Sequence, residues 1–218
     1  MDEDVWRSVD DWYGALLLDP DPVLDAALEA NALGGLPPID VSPAQGRLLQ
    51  LLARSIGARR ILEVGTLGGY STIWLARALP ADGRLVTCEL DPHHAEVAAS
   101  NLARAGLDGV VDIRVGPALD TLETLDGPFD LAFIDADKGS NTEYFRHALR
   151  LSRPGSMIIV DNVVRGGRVV DAGCDEPAVV GTRRFAEALA REARVDATVI
   201  QTVGRKGHDG FALAVVRG

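Results

Sequence analysis

The sequence predicts an α/β fold in which five parallel β-strands are followed by an antiparallel C-terminal hairpin, with helices on both faces of the sheet. From about residue 58, short apolar runs rich in β-branched residues alternate with helical patterns, which is typical of βαβ units. The last two runs are separated only by GRKGHDG, which is too short for a helical crossover and therefore indicates a hairpin. The predicted strands are RRILEVG, RLVTCEL, VDIRVG, FDLAFIDA, SMIIVDN, DATVIQTV and FALAVV.

The first five strands are mostly unbroken apolar runs, as expected when helices cover both faces of a sheet. Capping residues mark the helices between them. Asp91 and Pro92 predict the start of a helix over HHAEVAASNLARA, which ends at Gly106. Upstream, SPAQ at residues 42–45 resembles a capping box that opens a helix continuing to Gly57. The apolar residues at helical spacing in that helix are expected in the core: Leu48, Leu51, Leu52 and Ile56.

Residues 1–40 are predicted to form an N-terminal helical arm or cap on the core of residues 41–218, all within a single domain. The segment contains a helix around DVWRSVDDWYGALLL, a proline-rich bend, a second helix and the loop GGLPPID. Trp6 and Trp12 on the first helix either anchor the core or line a substrate pocket, and we favour the core.

Composition and charge exclude several classes of function. The formal net charge of −10 repels phosphate backbones, so nucleic acid is not an expected partner. No apolar run approaches the ~18 residues of a membrane-spanning helix, and the acidic N-terminus lacks the order of a signal peptide. We therefore expect a cytoplasmic protein with no membrane partner. Cys88 and Cys174 have no metal-binding spacing, and we expect a buried residue and a free thiol, with a disulfide as the weaker alternative.

The segment ILEVGTLGGYST reads as a buried strand, a glycine turn and the start of a helix near Ser71. In an open parallel sheet such a turn lies where ligands bind, and its glycines allow backbone N–H groups to approach an anion. The dinucleotide fingerprint G-x-G-x-x-G is not met, because Leu67 stands where that fingerprint has its second glycine. The alternative is a turn with only a structural role.

Glu89 lies at the end of the second predicted strand, at a distance from the turn that suits binding of a ribose diol. A nucleoside with a carboxylate-bearing tail in place of pyrophosphate describes S-adenosylmethionine. Glu63 could face the cationic amine and sulfonium end of that molecule. The closing hairpin agrees, because five parallel strands followed by a reversed hairpin are the arrangement of methyltransferases that use this cofactor.

Acidic residues follow the next two strands. FIDADK places Asp135, Asp137 and Lys138 after the fourth strand, and VDN places Asp161 and Asn162 after the fifth. Asp135, Asp161 and Asn162 are hard oxygen ligands, which suit Mg, with Ca or Mn as alternatives. The competing interpretation is that these residues only cap turns and helices. Lys138 is then either a surface residue or a base beside the cation.

Several ordered motifs over residues 38–218 resemble the cation-dependent class I S-adenosylmethionine-dependent O-methyltransferases, the group of the caffeoyl-CoA and catechol O-methyltransferases. The motifs are VSPAQGRLLQLL, ILEVGTLGGYSTIWLARAL, LVTCELDPHHAEVAASNLARAGL, VGPALDTL, PFDLAFIDADK, IIVDNVVRGGRV and GHDGFALAVV. The resemblance implies a Rossmann-like methyltransferase sheet and methyl transfer to a hydroxyl group of a small catechol-like acceptor, leaving S-adenosylhomocysteine.

Carried over residue by residue, the resemblance implies the following site. The contacts to S-adenosylmethionine are Val41, Glu63, Gly65, Thr66, Ser71, Glu89, Ala118 and Asp137. The divalent cation is bound by Asp135, Asp161 and Asn162, and Asp135 and Lys138 are the catalytic residues, with Lys138 as the base or an orienting cation. Family habit and the tryptophan-containing arm also imply a homodimer.

The chain departs from its plant-type relatives at two positions. Asn141 replaces a tyrosine, and Gly166 replaces an asparagine that contacts substrate in the plant caffeoyl-CoA enzymes. Specificity for that CoA ester is therefore not transferred, and Arg165 and Arg168 are either an anion-binding patch or solvated loop charges. Two alternative functions stay open: a non-catalytic module that binds S-adenosylmethionine or a partner on the same fold, and an oxidoreductase with a nucleotide cofactor.

Overall fold

The computed structural model describes residues 3–218 and contains the predicted alternation of strands and helices. The strands are β1 Arg60–Val64, β2 Arg84–Glu89, β3 Val111–Val115, β4 Phe129–Ile134, β5 Ser152–Asp161, β6 Val195–Gly204 and β7 Gly207–Val216. The helices are α1 Glu3–Leu17, α2 Pro22–Leu33, α3 Pro43–Ser55, α4 Tyr70–Ala76, α5 Pro92–Arg104, α6 Ala118–Thr124, α7 Asn141–Arg150 and α8 Pro177–Ala190. Two 3-10 segments, Lys138–Ser140 and Arg165–Val170, lie in the second half.

The chain forms two compact units. We call residues 12–124 the N-terminal unit. The C-terminal unit consists of residues 125–218 together with residues 3–11. In the N-terminal unit the strands run in the order β3-β2-β1, and both pairs are parallel. Four of the five residues of β1 are buried, whereas β3 at the edge is more exposed. The apolar run that predicted β1 is therefore explained by burial on both faces.

In the C-terminal unit the strand order is β4-β5-β7-β6. β4 pairs parallel with β5, and β7 pairs antiparallel with both β5 and β6. The predicted C-terminal hairpin is confirmed, but its loop is shorter than expected. Gly204 pairs with Gly207, so only Arg205 and Lys206 form the turn. Gly207 adopts a φ of 85°, a left-handed conformation that glycine reaches without steric cost, and the residues after it continue as strand.

Two of the predicted helix starts are confirmed by their caps. The Oγ of Ser42 accepts a hydrogen bond from the Gln45 N–H at 3.2 Å, and the Asp91 Oδ1 accepts one from the His93 N–H at 2.8 Å. Each cap is followed by a proline at the first helical position. Such caps satisfy N–H groups that have no partner within the helix.

The core predictions for α1 and α3 are only partly confirmed: Trp6, Leu48, Leu52 and Ile56 are half-buried, whereas Leu51 and Trp12 are exposed. Leu51 is 52% exposed, because the buried face of α3 is formed by the neighbouring stripe that contains Leu49 and Ala53. Trp12 is 60% exposed, and none of the residues of α1 is buried. Among the described residues, no helix combines the length and the apolar character that a membrane crossing requires.

Candidate active site

The glycine turn follows β1 and leads into α4. Three of its residues have a positive φ: Gly65 at 100°, Leu67 at 50° and Gly69 at 82°. Glycine tolerates this region, but a branched residue such as Leu67 rarely occupies it. Backbone strain of this kind is concentrated at binding sites, where the surrounding structure holds it in place.

The Glu63 carboxylate, at the end of β1, is completely buried beneath this turn. It accepts hydrogen bonds from the hydroxyl groups of Ser71 at 2.6 Å, Thr72 at 2.6 Å and Thr87 at 2.8 Å. These bonds join β1 to β2 and α4. Glu63 therefore orients the side chain of Ser71, which is another predicted cofactor residue. The predicted contact between Glu63 and the cofactor stays a prediction.

Glu89 closes the turn from the end of β2. Its Oε2 accepts hydrogen bonds from the backbone N–H groups of Thr66 at 3.2 Å and Leu67 at 2.7 Å. Its Oε1 accepts one from Asp91 N–H at 3.0 Å and lies 3.5 Å from His94 Nδ1. The carboxylate is thus held rigidly at the carboxyl edge of the sheet, which is the position that a ribose-binding acid requires.

The remaining predicted cofactor residues of the N-terminal unit lie on loops next to these strands. Gly116 donates its N–H to the carbonyl oxygen of Glu89 at 2.8 Å, which holds the segment leading to Ala118 at the end of β2. Val41 is buried and immediately precedes the Ser42 cap of α3.

The C-terminal unit contains the predicted cation ligands. Ile134 and Val160 are register partners in the parallel pair β4–β5, so Asp135 and Asp161 follow neighbouring positions at the same edge of the sheet. Asp161 is buried, and its Oδ1 accepts a hydrogen bond from the Asn162 N–H at 2.8 Å. Asn162 has a φ of 57°, a conformation that asparagine adopts more readily than most residues.

Asp135, Asp161 and Asn162 carry the hard oxygen donors that a divalent cation prefers. Within residues 3–218 there is no group of three or more His, Cys, Asp or Glu side chains that could hold a metal ion. The predicted set comprises two carboxylates and one amide, so it would leave positions for water or substrate oxygens, as Mg accepts. Lys138 Nζ donates to Asp135 Oδ1 at 2.7 Å, and the second oxygen of a carboxylate can still serve a cation.

The side chain of Asp137 accepts two hydrogen bonds from residues that follow it in the chain. Its Oδ1 accepts a hydrogen bond from the Tyr144 hydroxyl at 2.6 Å, and its Oδ2 accepts one from the Ser140 N–H at 3.1 Å. These contacts link the 3-10 segment to α7. The role of Asp137 in cofactor binding stays a prediction.

Asp209, on β7, is a site residue that sequence reasoning missed. Its Oδ1 accepts hydrogen bonds from the backbone N–H groups of Val164, Arg165 and Gly210, each at 3.0 Å. Val164 and Arg165 lie in the loop that follows Asn162, so Asp209 fixes the segment that leaves the predicted cation ligands. The sequence signal was weak, because an acid beside a glycine in a predicted turn normally serves only that turn.

Arg165 and Arg168, the two charged residues of the loop after β5, both lie close to one acidic side chain. Arg168 forms a hydrogen-bonded ion pair with Glu176, and Arg165 Nη2 lies 3.9 Å from the same carboxylate.

Both cysteines are free, so the disulfide alternative is excluded. Cys88 is buried as expected, and burial, followed by the charge of Glu63, raises the pKa of its thiol to about 12.

Parallel strands followed by an antiparallel closing hairpin, with a glycine turn after β1, are the arrangement of an α/β methyltransferase. The sequence profile of the family described as O-methyltransferase matches residues 19–215. The chain belongs to this family, so its identification with the S-adenosylmethionine-dependent O-methyltransferases, and its prediction as such an enzyme, are confirmed.

Individual relatives agree over nearly the whole chain. A catechol O-methyltransferase of Niastella koreensis is 54% identical over 221 residues and covers 100% of both chains. The O-methyltransferase from Bacillus cereus, solved in complex with SAH, has a TM-score of 0.97 at 52% identity and covers 99% of this chain and 100% of that one. The O-methyltransferase from Streptomyces achromogenes involved in tomaymycin synthesis, solved in complex with SAM, has a TM-score of 0.96 at 54% identity and covers 100% of both chains. The predicted fold class is thereby confirmed.

Proposed function

We propose that this protein transfers the methyl group of S-adenosylmethionine to a hydroxyl group of a small catechol-like acceptor and requires a divalent cation, with Mg as the first candidate. The observation that carries the proposal is the position of Asp135 and Asp161 at adjacent strand ends, with Lys138 hydrogen-bonded to Asp135. A cofactor-binding turn alone would serve many acceptors, whereas this cluster of oxygen ligands suits an acceptor with two neighbouring oxygens.

The cofactor side of the proposal rests on the glycine turn. Glu89 would bind the ribose diol, and the region around Ala118 would lie by the adenine. Ser71 and the backbone of Gly65 and Thr66 would contact the methionine tail. The tight network around Glu63 and Glu89 supports this assignment, because it holds these groups in place before the cofactor binds. The relatives solved with SAM and SAH support the choice of cofactor.

On the acceptor side, Asp135, Asp161 and Asn162 would hold the cation. A bound cation supplies positive charge that lowers the pKa of an acceptor hydroxyl and orients vicinal oxygens. Lys138 has a nearly buried side chain, 9% exposed, and donates to Asp135. This ion pair favours Lys138 as an orienting cation that stabilises the deprotonated acceptor oxygen, rather than as the base.

The reaction then needs little covalent participation by the protein. The acceptor oxygen attacks the methyl carbon, the carbon–sulfur bond breaks, and the sulfur keeps the bonding electron pair as S-adenosylhomocysteine forms. The residues contribute position and charge, which are worth several kcal/mol when the reacting atoms are held in line. The hydroxyl proton leaves to solvent, and Lys138 stabilises the oxygen that remains.

A small phenolic acceptor suits the loop after β5 better than a CoA ester does. Glu176 lies beside both Arg165 and Arg168 and offsets the positive charge that would otherwise attract a polyanion. The relative named catechol O-methyltransferase supports the same acceptor class.

The protein is further proposed to act in the cytoplasm as a homodimer. Helix α1 carries an apolar stripe at helical spacing, formed by Val5, Val9, Trp12 and Leu16, and all four are exposed. A second copy presents the same stripe, so a two-fold pair of copies would cover both.

The decisive experiment measures methyl transfer from S-adenosylmethionine to a panel of catechols and monophenols, in chelator and after addition of Mg, Ca or Mn. We expect turnover on catechols only with a metal. Asp161→Ala should lose about 100-fold or more of that turnover, which corresponds to about 2.7 kcal/mol, and should still bind S-adenosylhomocysteine in calorimetry.

The matched control is Asp175→Ala, which removes an exposed acid of the same unit and should match the wild type. Full turnover in chelator would contradict the metal requirement. Binding of the cofactor without turnover on any phenol would contradict the proposed reaction and favour a binding role.

A further inference from the structure

Two buried asparagines lie behind the glycine turn, in positions where helices normally present apolar residues. Asn101 on α5 is 0% exposed, and Asn31 on α2 is 3% exposed. Their neighbours on the same helix faces are Leu24 and Ala27 of α2 and Ala98 of α5. A buried amide costs folding free energy unless its hydrogen bonds are made, so the partners of these two side chains indicate what they do.

The amide of Asn101 bonds directly to the turn. Its Nδ2 donates to the carbonyl oxygen of Gly68 at 2.9 Å and to Asn31 Oδ1 at 3.0 Å, with a longer contact of 3.4 Å to the Ala27 carbonyl. Its Oδ1 accepts a hydrogen bond from Arg104 Nη1 at 2.7 Å. The side chain can therefore hardly rotate, and it fixes the orientation of the Gly68 peptide.

Asn31 continues the chain of hydrogen bonds to a second cofactor segment. Its Nδ2 donates to Asp40 Oδ1 at 2.9 Å, and Asp40 immediately precedes Val41, a predicted cofactor contact. Two amides thus connect the turn to the segment before α3 through the interior of the N-terminal unit.

Gly68 shows how closely this pair packs against the turn. A Cβ atom at position 68 would lie 1.8 Å from Asn31 Oδ1, which no structure accommodates without movement. Gly68 does not belong to the glycines with a positive φ. Glycine is therefore required here for the contact with Asn31 and not for its backbone conformation.

The turn is consequently held from two sides. Glu89 accepts hydrogen bonds from the N–H groups of Thr66 and Leu67. On the other side, Asn101 donates a hydrogen bond to the carbonyl oxygen of Gly68. This double restraint explains how Leu67 is kept in a left-handed conformation, which a free loop would abandon.

We infer that Asn31 and Asn101 are positioning residues for S-adenosylmethionine: they set the geometry of the glycine turn and of the Val41 segment without touching the cofactor. The inference rests on the proposed cofactor site. It predicts that loss of either amide weakens cofactor binding more than it affects the acceptor or the chemical step.

The test uses Asn101→Leu, which keeps the side-chain volume and removes the hydrogen bonds. We expect the Kd for S-adenosylhomocysteine, measured by calorimetry well below the Tm, to rise about tenfold, or 1.4 kcal/mol. At saturating S-adenosylmethionine, kcat and the KM for the acceptor should remain within about twofold of the wild type, because a uniform loss of cofactor binding leaves the chemical step intact.

Gln50→Leu is the matched control. Gln50 is also buried in the N-terminal unit, and its Oε1 accepts a hydrogen bond from Arg47 on the same helix instead of from a residue of the turn. It should lower the Tm and leave the Kd unchanged. If Asn101→Leu also lowers only the Tm, the two amides have a merely structural role and the inference is overturned.

A double-mutant cycle gives a second measurement if Asn101→Leu does not fold. Gly68→Ala should weaken cofactor binding through its clash with Asn31, and Asn31→Ala removes the atom that it meets. The double variant should bind S-adenosylhomocysteine more tightly than the sum of the single effects predicts. Simple additivity would overturn the inference.

Glu89→Gln separates this inference from the proposed function. If Glu89→Gln binds the cofactor weakly and Asn101→Leu binds it normally, only the positioning role falls. If the wild type does not bind S-adenosylhomocysteine, the proposed function falls and the inference falls with it.

Discussion

At the scale of single residues, the buried carboxylate of Glu63 is compensated by hydroxyl donors from Ser71, Thr72 and Thr87. Glu63→Gln replaces one acceptor oxygen by an N–H₂ group, which faces hydroxyls that now have to reorient. We expect a loss of about 1–3 kcal/mol in the free energy of unfolding, the cost of an imperfectly satisfied buried group. Urea denaturation at constant pH measures it.

The same variant should weaken binding of S-adenosylmethionine, because Ser71 loses its fixed orientation. Glu96→Gln on the exposed side of α5 makes the same chemical change without a buried partner and should leave stability within about 0.5 kcal/mol. Equal stability of both variants would show that the hydroxyl network does not depend on the charge of Glu63.

The two thiols should differ strongly in reactivity. The thiolate is the reactive species, and the raised pKa of Cys88, about 12, leaves it almost entirely protonated at pH 8. Cys174 is partly exposed in a loop. We expect a thiol reagent to modify one cysteine per native chain, identified as Cys174 by mass spectrometry, and two after denaturation. Modification of Cys88 at a comparable rate in the native protein would contradict this assignment.

At the scale of elements, β7 holds the loop that follows β5 through Asp209. A single oxygen, Oδ1, accepts three backbone N–H groups, from Val164, Arg165 and Gly210. Asp209→Ala leaves all three without this acceptor, so the loop after Asn162 should loosen. We expect the Mg concentration for half-maximal activity to rise about tenfold, or 1.4 kcal/mol, with cofactor affinity unchanged.

Asp209→Asn provides the informative comparison, because an asparagine keeps the Oδ1 acceptor. It should retain most of the wild-type metal response. Asp196→Ala on β6 removes an exposed acid of the same hairpin and should have no effect on it. An equal rise of the Mg concentration for half-maximal activity in Asp209→Asn and Asp209→Ala would show that the metal response depends on the charge of Asp209 and not on its hydrogen bonds to the loop.

The start of α2 makes stability depend on pH. Burial raises the pKa of Asp21, but hydrogen bonds from Arg77, Leu24 and Val23, together with the charge of Arg77, outweigh burial and lower that pKa below its usual 3.8. A lowered folded-state pKa adds stability above the unfolded-state value, and this stability is lost as the pH falls through the folded-state value.

Asp21→Asn keeps a capping oxygen and removes the charge. At pH 7 the wild type should be more stable by about 1 kcal/mol, as expected for one partly exposed ion pair. Below about pH 3.9, the unfolded-state value, that difference should shrink and approach zero as the pH falls through the folded-state pKa, as followed by denaturant titrations. A difference that is constant from pH 7 to pH 2.5 would contradict the role of the charge.

At the scale of the whole molecule, the sequence was informative wherever function depends on neighbours in the chain. Apolar runs predicted the seven strands, and most of the residues that we predict as cofactor and cation ligands lie at or just after the ends of β1 to β5; their roles stay predictions. The supporting residues were not predictable in this way. Asp209 meets Val164 across 45 positions, and Asn101 meets Asn31 across 70, so their roles depend on tertiary pairing that no local pattern encodes.

The exposed stripe of α1 is a further case in which local pattern is insufficient. An amphipathic helix has the same periodicity whether its apolar face meets its own core or another chain. The sequence therefore predicted the helix correctly and could not decide the environment of Trp12, which is exposed within the single chain. Whether Trp12 is buried therefore depends on whether two copies of the chain associate through α1.

If two copies pair through this stripe, the double variant Val9→Asp/Trp12→Asp should prevent assembly, because each dimer would bury four new charges. Light scattering should give twice the chain mass for the wild type and the single-chain mass for the variant. Leu33→Asp, at an exposed apolar position on α2, is the matched control and should remain dimeric. The wild-type Tm should also rise with protein concentration, since association stabilises the folded state by mass action. A wild type that is monomeric at all concentrations, or a double variant that stays dimeric, would show that the stripe on α1 does not hold two copies together.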